Sequence, residues 1–143
     1  MLGNARGAHF GYAFDHPPSY AVWPSAPPAC QPGKAPNRGH VCHAFELPYV
    51  FRNPVTFTRP PVEHHFTAAE QVLVDAISAY WTGFAAAGDP NAGAAAPPHW
   101  PTYGASGGTR QVLNLTISQT KDAPLNCPLW ENIGYDPAAS SIY

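Results

Sequence analysis

Gly39-His40-Val41-Cys42-His43-Ala44-Phe45-Glu46-Leu47-Pro48-Tyr49-Val50-Phe51 is the stretch on which the reading of this chain turns. It is dense in aromatic and apolar side chains, yet two histidines and a glutamate stand among them. Burying an unpaired polar group costs free energy, so a plain core element would not hold this set. The mixture suits a buried polar site.

Upstream, His9 to Asp15 places Phe10, Tyr12 and Phe14 at period two, the pattern of a half-buried strand ended by Pro17-Pro18. Residues 17 to 39 are rich in proline and poor in large apolar side chains beyond Tyr20, Val22 and Trp23, and read as an extended surface loop. Downstream, the spacing predicts a helix over Ala68 to Ala87. Thr67 and Glu70 form a capping box, Gly88 fits a left-handed C-cap, and Pro90 forbids continuation. Leu73, Ile77, Tyr80, Trp81 and Phe84 make its apolar face. Val112 to Ile117 alternates as a second strand would. Asn126 can cap a short helix carrying Leu129, Trp130 and Ile133 and closing at Gly134.

The whole chain has 143 residues, one domain's worth, with no internal repeat and no second domain. Charged residues are 11%, against about 25% in an ordinary protein. Lys plus Arg number 7 and Asp plus Glu 9, so the net charge of -2 offers no basic patch, and nucleic acid is not an expected partner. No apolar run reaches the length of a membrane span. The opening Met1-Leu2-Gly3-Asn4 lacks the features of a secretory signal, and localisation stays unread. Three cysteines at irregular spacing, Cys30, Cys42 and Cys127, argue against a disulfide scaffold and leave the redox compartment open.

Pro 18 and Gly 12 partition the chain into short pieces. Two strands far apart in sequence do not make a stable sheet, and 13% aromatic residues demand a large partner surface. A piece of a larger fold, or a chain that needs a partner, is the expectation.

Three places in the chain carry a resemblance. His43-Ala44-Phe45-Glu46-Leu47-Pro48-Tyr49-Val50-Phe51 resembles the His-Gly-x-Glu-Leu-Pro-Tyr-Val-Phe block of type B carboxylesterases, the family that includes the cholinesterases. Tyr80-Trp81-Thr82-Gly83-Phe84-Ala85, then Gly88-Asp89-Pro90-Asn91, then Trp100-Pro101 with Tyr103, are similar to that family's motifs in the same order. Cys127-Pro128-Leu129-Trp130 resembles its terminal Cys-x-x-Trp. Tyr12-Ala13-Phe14-Asp15 sits where a late strand precedes the histidine loop. Residues 9 to 134 keep order and spacing throughout.

The resemblance implies an α/β class chain: a C-terminal fragment of an α/β-hydrolase, with late strands, histidine loop, long helix and short C-terminal helix, residues 1–143 forming the C-terminal portion of one carboxylesterase domain. It implies that His43 is the catalytic histidine of a Ser-His-acid triad, with a small-molecule carboxylic ester as substrate and no cofactor. An imidazole, with an ordinary pKa near 6.5, can take the serine proton and return it to the leaving alcohol. The triad order in this fold places the histidine last, so Ser, acid and oxyanion hole are expected before Met1, and the isolated chain is expected to be inactive without that missing N-terminal part. Ala44 stands where the family commonly has Gly.

Other residues compete for attention. Gly104-Ala105-Ser106-Gly107-Gly108 satisfies G-x-S-x-G as written, but follows a proline-rich loop and precedes a strand, so Ser106 reads as a turn and not a nucleophile elbow. Glu46, three residues from His43, is poorly placed to orient its ring and reads as a buried, hydrogen-bonded structural carboxylate. His40, Cys42, His43, His64 and His65 lack the spacing of a zinc site, and no metal is expected. Cys127 reads equally as a partner for an upstream cysteine or as a free thiol. Asn114-Leu115-Thr116 is a sequon that matters only on export. Two other functions stay open: a non-catalytic binding or adhesion relative of the same fold, and a stand-alone binding or metal module.

Overall fold

Tyr12–Phe14, the strand here labelled β1, hydrogen-bonds in parallel to β4, Thr109–Leu113, and β4 in turn pairs antiparallel with β5, Ser118–Lys121. The computed structural model describes residues 7–32, 41–93, 97–104 and 108–121. Register sets Tyr12 opposite Gln111 and Phe14 opposite Leu113. Between β1 and β4 the chain forms α1 (Leu47–Val50), a small antiparallel pair β2 (Val55–Thr56) with β3 (Val62–Glu63), and the long helix α2 (Ala68–Ala87). The parallel β1–β4 pair enclosing a helical crossover is the geometry of an α/β layer.

Both ends of α2 are fixed by the residues that the sequence marks. The Thr67 side chain accepts from the Glu70 backbone N–H at 3.2 Å, and the Glu70 carboxylate accepts from the Thr67 N–H at 2.8 Å, satisfying two donors that helix geometry leaves orphaned. Gly88 closes the helix at φ 71°, and its N–H donates to the Phe84 carbonyl. The apolar face is rotated from the expected one. Leu73, Ile77 and Tyr80 are buried as read, joined by Val74 and Gly83, while Trp81 is half-buried and Phe84 is 50% exposed.

Phe10, Tyr12 and Phe14 do share a side, and it is the side covered by helices. Phe10 meets Phe84 edge-on at 6.1 Å, Tyr12 meets Trp81 at 5.2 Å, and Phe14 tilts against Tyr49 of α1 at 5.1 Å. Trp100 packs among them and donates its indole N–H to the Gly11 carbonyl at 3.0 Å. Asn91 clamps Trp100 from behind, its amide oxygen accepting from the Trp100 N–H at 2.7 Å and its amide nitrogen donating to the Trp100 carbonyl at 3.0 Å.

The second strand lies earlier than its hydrophobic alternation indicates. β4 covers Thr109–Leu113, and residues 114 to 116 form a bend in place of continued strand. Thr109, Gln111 and Leu113 point into the core, so two polar residues hold inward positions that a hydrophobic reading assigns to Leu115 and Ile117. Gln111 is tolerated there because its amide donates to the Tyr80 hydroxyl at 3.0 Å, and that hydroxyl donates to the Pro98 carbonyl. Residues 17 to 32 are also not simply a surface loop. Tyr20, Val22 and Cys30 are buried with Phe45 in a second small core. Residues 33–40 and the expected helix from Asn126 to Gly134 lie outside the described residues.

Candidate active site

His43 stands on a tight turn. The Phe45 N–H donates to the Cys42 carbonyl at 3.2 Å, which makes Cys42 the first corner, His43 and Ala44 the central pair and Phe45 the last corner. Ala44 has φ 64°, the left-handed value that a type II turn requires at its third position. Glycine takes that conformation without penalty, which is the physical reason a Gly follows the His in the block that this stretch resembles. The Leu47 N–H next donates to the Ala44 carbonyl at 3.3 Å, feeding the turn straight into α1.

The turn is held from below and leaves its histidine side chain outward. Phe45 is 2% exposed and belongs to the core of Tyr20, Val22 and Cys30. Cys42 is joined by a disulfide to Cys30, so the odd cysteine count hid one real pair. The Trp23 indole donates to the His43 carbonyl at 3.3 Å, and Trp23 itself stacks on Phe57 at 4.5 Å. His43 itself is exposed.

Glu46 is not the buried structural carboxylate that its place in the block predicts. It is half-buried at the N-cap of α1, near enough for its charge to help raise the Tyr12 phenol, whose main cause of elevation is burial. The buried carboxylate is Glu70, 1% exposed, which the sequence marks only as a helix cap. Besides the Thr67 N–H, it accepts from the Tyr49 hydroxyl at 2.8 Å, the Ser19 hydroxyl at 2.8 Å and the Ser19 N–H at 3.0 Å. His16 Nε2 lies 3.2 Å from the same carboxylate. Burial pushes the Glu70 pKa up, but these hydrogen bonds to the charged form outweigh it and hold the group down at about 2. The Tyr49 phenol moves the other way, raised by burial and by its bond to Glu70. A His, a Ser and a Glu thus meet here, but Ser19 donates to the carboxylate and not to the imidazole, so this is a structural knot and no triad.

The knot has a purpose for His43. Ser19 and His16 belong to the segment leaving β1, Tyr49 lies six residues after His43, and Glu70 opens α2. One carboxylate therefore ties the outgoing and returning limbs of the histidine loop to the helix.

The remaining candidates resolve as follows. Ser106 and Cys127 lie outside the described residues, though the element after Ser106 is strand β4, where an elbow needs a helix. His40 lies outside them too. Cys42 has spent its sulfur on Cys30, and His64 Nε2 bonds the Thr56 hydroxyl at 2.8 Å while its ring stacks on Tyr20 at 4.5 Å. Among the described residues no group of three or more His, Cys, Asp or Glu is placed to hold a metal ion, and no helix is long and apolar enough to cross a membrane. Asn114 bonds the Asp15 carbonyl through its amide at 2.7 Å, tying the bend after β4 to the end of β1.

The model of the carboxylesterase family matches residues 2–130. The chain belongs to that family. As a carboxylesterase-family chain it is 33% identical over 115 residues to rat bile salt-activated lipase, a match that covers 78% of this chain and 16% of that protein. It is 33% identical over 108 residues to chicken acetylcholinesterase, covering 76% and 12%. The solved carboxylesterase of Geobacillus stearothermophilus superposes with a TM-score of 0.50 at 27% identity, over 79% of this chain and 19% of that one. The fold is therefore that of the α/β-hydrolases, and the chain spans less than a fifth of the length of these relatives.

Proposed function

We propose that this chain supplies the general base of a carboxylic ester hydrolase, and that His43 is that base. The supporting observation is the turn itself: an exposed imidazole between two anchored corners, in a family whose matched members are mostly esterases and lipases by name, with neuroligin-2 also among them. A serine hydroxyl brought within about 2.6 to 3.2 Å of the ring would lose its proton to it while attacking the ester carbonyl. The resulting imidazolium then protonates the departing alcohol, and in a second round activates the water that releases the acid.

The nucleophile, the acid that orients His43 and the oxyanion donors belong, in this reading, to polypeptide beyond these 143 residues. Two features of the structure support that division. One edge of β1 pairs with β4, and among the described residues no strand pairs with the other. Between β1 and α2 lies an apolar hollow of about 270 Å³ whose walls include Phe10, Tyr12, Trp81, Phe84 and Trp100 and not His43. An open sheet edge and an aromatic hollow of this kind are each a seat for further chain.

The test is made on the complete protein that contains this chain. Its upstream sequence should hold a strand, a G-x-S-x-G turn and a helix in succession, and it should hydrolyse p-nitrophenyl esters. Replacing His43 with Ala should lower turnover by roughly a thousandfold or more. Near-normal turnover in that variant would remove His43 from the reaction.

A further inference from the structure

Both corners of the His43 turn end in one small core, and one of them is held covalently. Phe45 reaches it by burial, whereas Cys42 is half-buried and is tied to it by the bond to Cys30, itself 8% exposed beside Tyr20, Val22 and Phe45. The segment joining the two cysteines, Gln31-Pro32-Gly33-Lys34-Ala35-Pro36-Asn37-Arg38-Gly39-His40-Val41, has Val41 as its single sizeable apolar residue. Val41 packs at the edge of the same core, so apart from that one partly buried side chain and Cys42 itself the approach to His43 is seated by the cross-link.

On the reading of His43 as general base, we propose that the Cys30–Cys42 disulfide is a positioning element for it, fixing the first corner of the turn so that the imidazole is presented in one place. Cross-linking residues 12 apart removes much of the freedom of the segment between them. Proton transfer is sensitive to such freedom, because a displacement of about 1 Å in a reacting group can cost about a hundredfold in rate. Opening the bond leaves the turn standing on Phe45, with the Trp23 bond to the His43 carbonyl, and frees the Cys42 side to wander.

A dithiol reductant tests this without mutation. Its thiolate attacks one sulfur of the pair, a mixed disulfide forms, and its second thiol closes on it, so the Sγ–Sγ bond becomes two thiols while the reductant is oxidised to a disulfide. The assay measures kcat and KM of the complete protein on a p-nitrophenyl ester, before and after reduction, with free thiols counted. The same constants are measured for the double variant Cys30→Ser, Cys42→Ser. A Cys127→Ser background assigns the effect to the right pair.

The expected result is a fall in kcat of about tenfold or more, with KM within about twofold, unchanged circular dichroism, and recovery on reoxidation. Full kcat with the bond demonstrably open overturns the proposal. So does loss of kcat accompanied by loss of the dichroism signal, which marks a bond that merely holds the fold. The His43→Ala variant separates the two levels. If it keeps turnover, the general-base reading falls; if it is inactive while the reduced protein is fully active, the positioning role alone falls.

Discussion

The Tyr49 hydroxyl donates to the Glu70 carboxylate at 2.8 Å, joining the residue six places after His43 to the first turn of α2. Ser19 reaches the same carboxylate from the other limb of the loop. A long excursion rich in proline is thereby gathered at one charge, and that charge is stabilised by four donated hydrogen bonds that no apolar residue could replace.

Stability should therefore fall in acid through Glu70. Its folded pKa, about 2, lies below its ordinary value of 4.5, so the unfolded chain binds the proton more tightly. The contribution is fully present above pH 4.5 and is lost as pH drops from there towards 2. At roughly 1.4 kcal/mol for each unit of pKa difference it amounts to about 3 kcal/mol. Denaturant melts of the complete protein between pH 7 and pH 2 should show this loss. In Glu70→Gln the loss across that window should shrink by a similar amount, with stability at pH 7 already lower by about 2 to 3 kcal/mol. A Gln variant with wild-type stability and wild-type acid sensitivity would refute the assignment.

Ala44→Gly is expected to stabilise. A residue with a Cβ held at φ 64° carries a conformational penalty of about 1 to 2 kcal/mol, which Gly relieves, while the extra freedom of Gly in the unfolded chain returns about 0.4 to 1. The net gain should be about 0.5 to 1 kcal/mol, read as a small rise in the denaturation midpoint with the slope unchanged. Destabilisation would mean that the turn does not take the left-handed value.

What could be read from residues alone follows a physical division. The α2 boundaries were legible because caps act locally: Thr67, Glu70 and Gly88 make their capping bonds within four residues of themselves. The position of β4 was not, because its inward residues Thr109 and Gln111 are polar and become acceptable only through partners such as Tyr80, 31 residues away from Gln111. Hydrophobic alternation pointed instead to Leu115, which is 47% exposed. The pair β2 and β3 escaped for a related reason, since a strand of two residues has no periodicity to detect. The block around His43 singled out that turn for a proposal, but the cross-link of its neighbour Cys42 was hidden by an odd number of cysteines. Glu70, in addition to its capping role, and not Glu46, is the buried carboxylate, because burial is a property of the assembled loop and leaves no mark on either residue's neighbours in sequence.

The two motifs Gly88-Asp89-Pro90-Asn91 and Trp100-Pro101 follow one another because Asn91 satisfies both backbone groups of Trp100. Asn91→Ala should strand a part-buried N–H and carbonyl under the aromatic cluster and cost about 1 to 3 kcal/mol in the complete protein. Asn91→Asp keeps the acceptor for the Trp100 N–H but turns a carboxylate oxygen towards the Trp100 carbonyl and the Asp89 carboxylate, both of which accept from the Asn91 amide, and should cost at least as much as Ala. Equal stability of all three forms, measured by chemical denaturation, would show that water replaces the clamp.

The isolated chain should behave as an unfinished layer. Among the described residues β1 has an open side, and Phe84, 50% exposed, lines a hollow walled mostly by aromatic rings. The three-stranded sheet and the one long helix described leave this surface without a covering layer, so tertiary packing should be incomplete. Purified residues 1–143 are expected to bind a hydrophobic dye, to unfold without a sharp thermal transition, and to hydrolyse p-nitrophenyl esters no faster than free imidazole does. Supplying the upstream part of the complete protein in trans should quench the dye signal and restore hydrolysis that depends on His43. Ester hydrolysis by the isolated chain that is abolished by His43→Ala would mean that a nucleophile lies within these residues, and Ser106 would then be the first to replace.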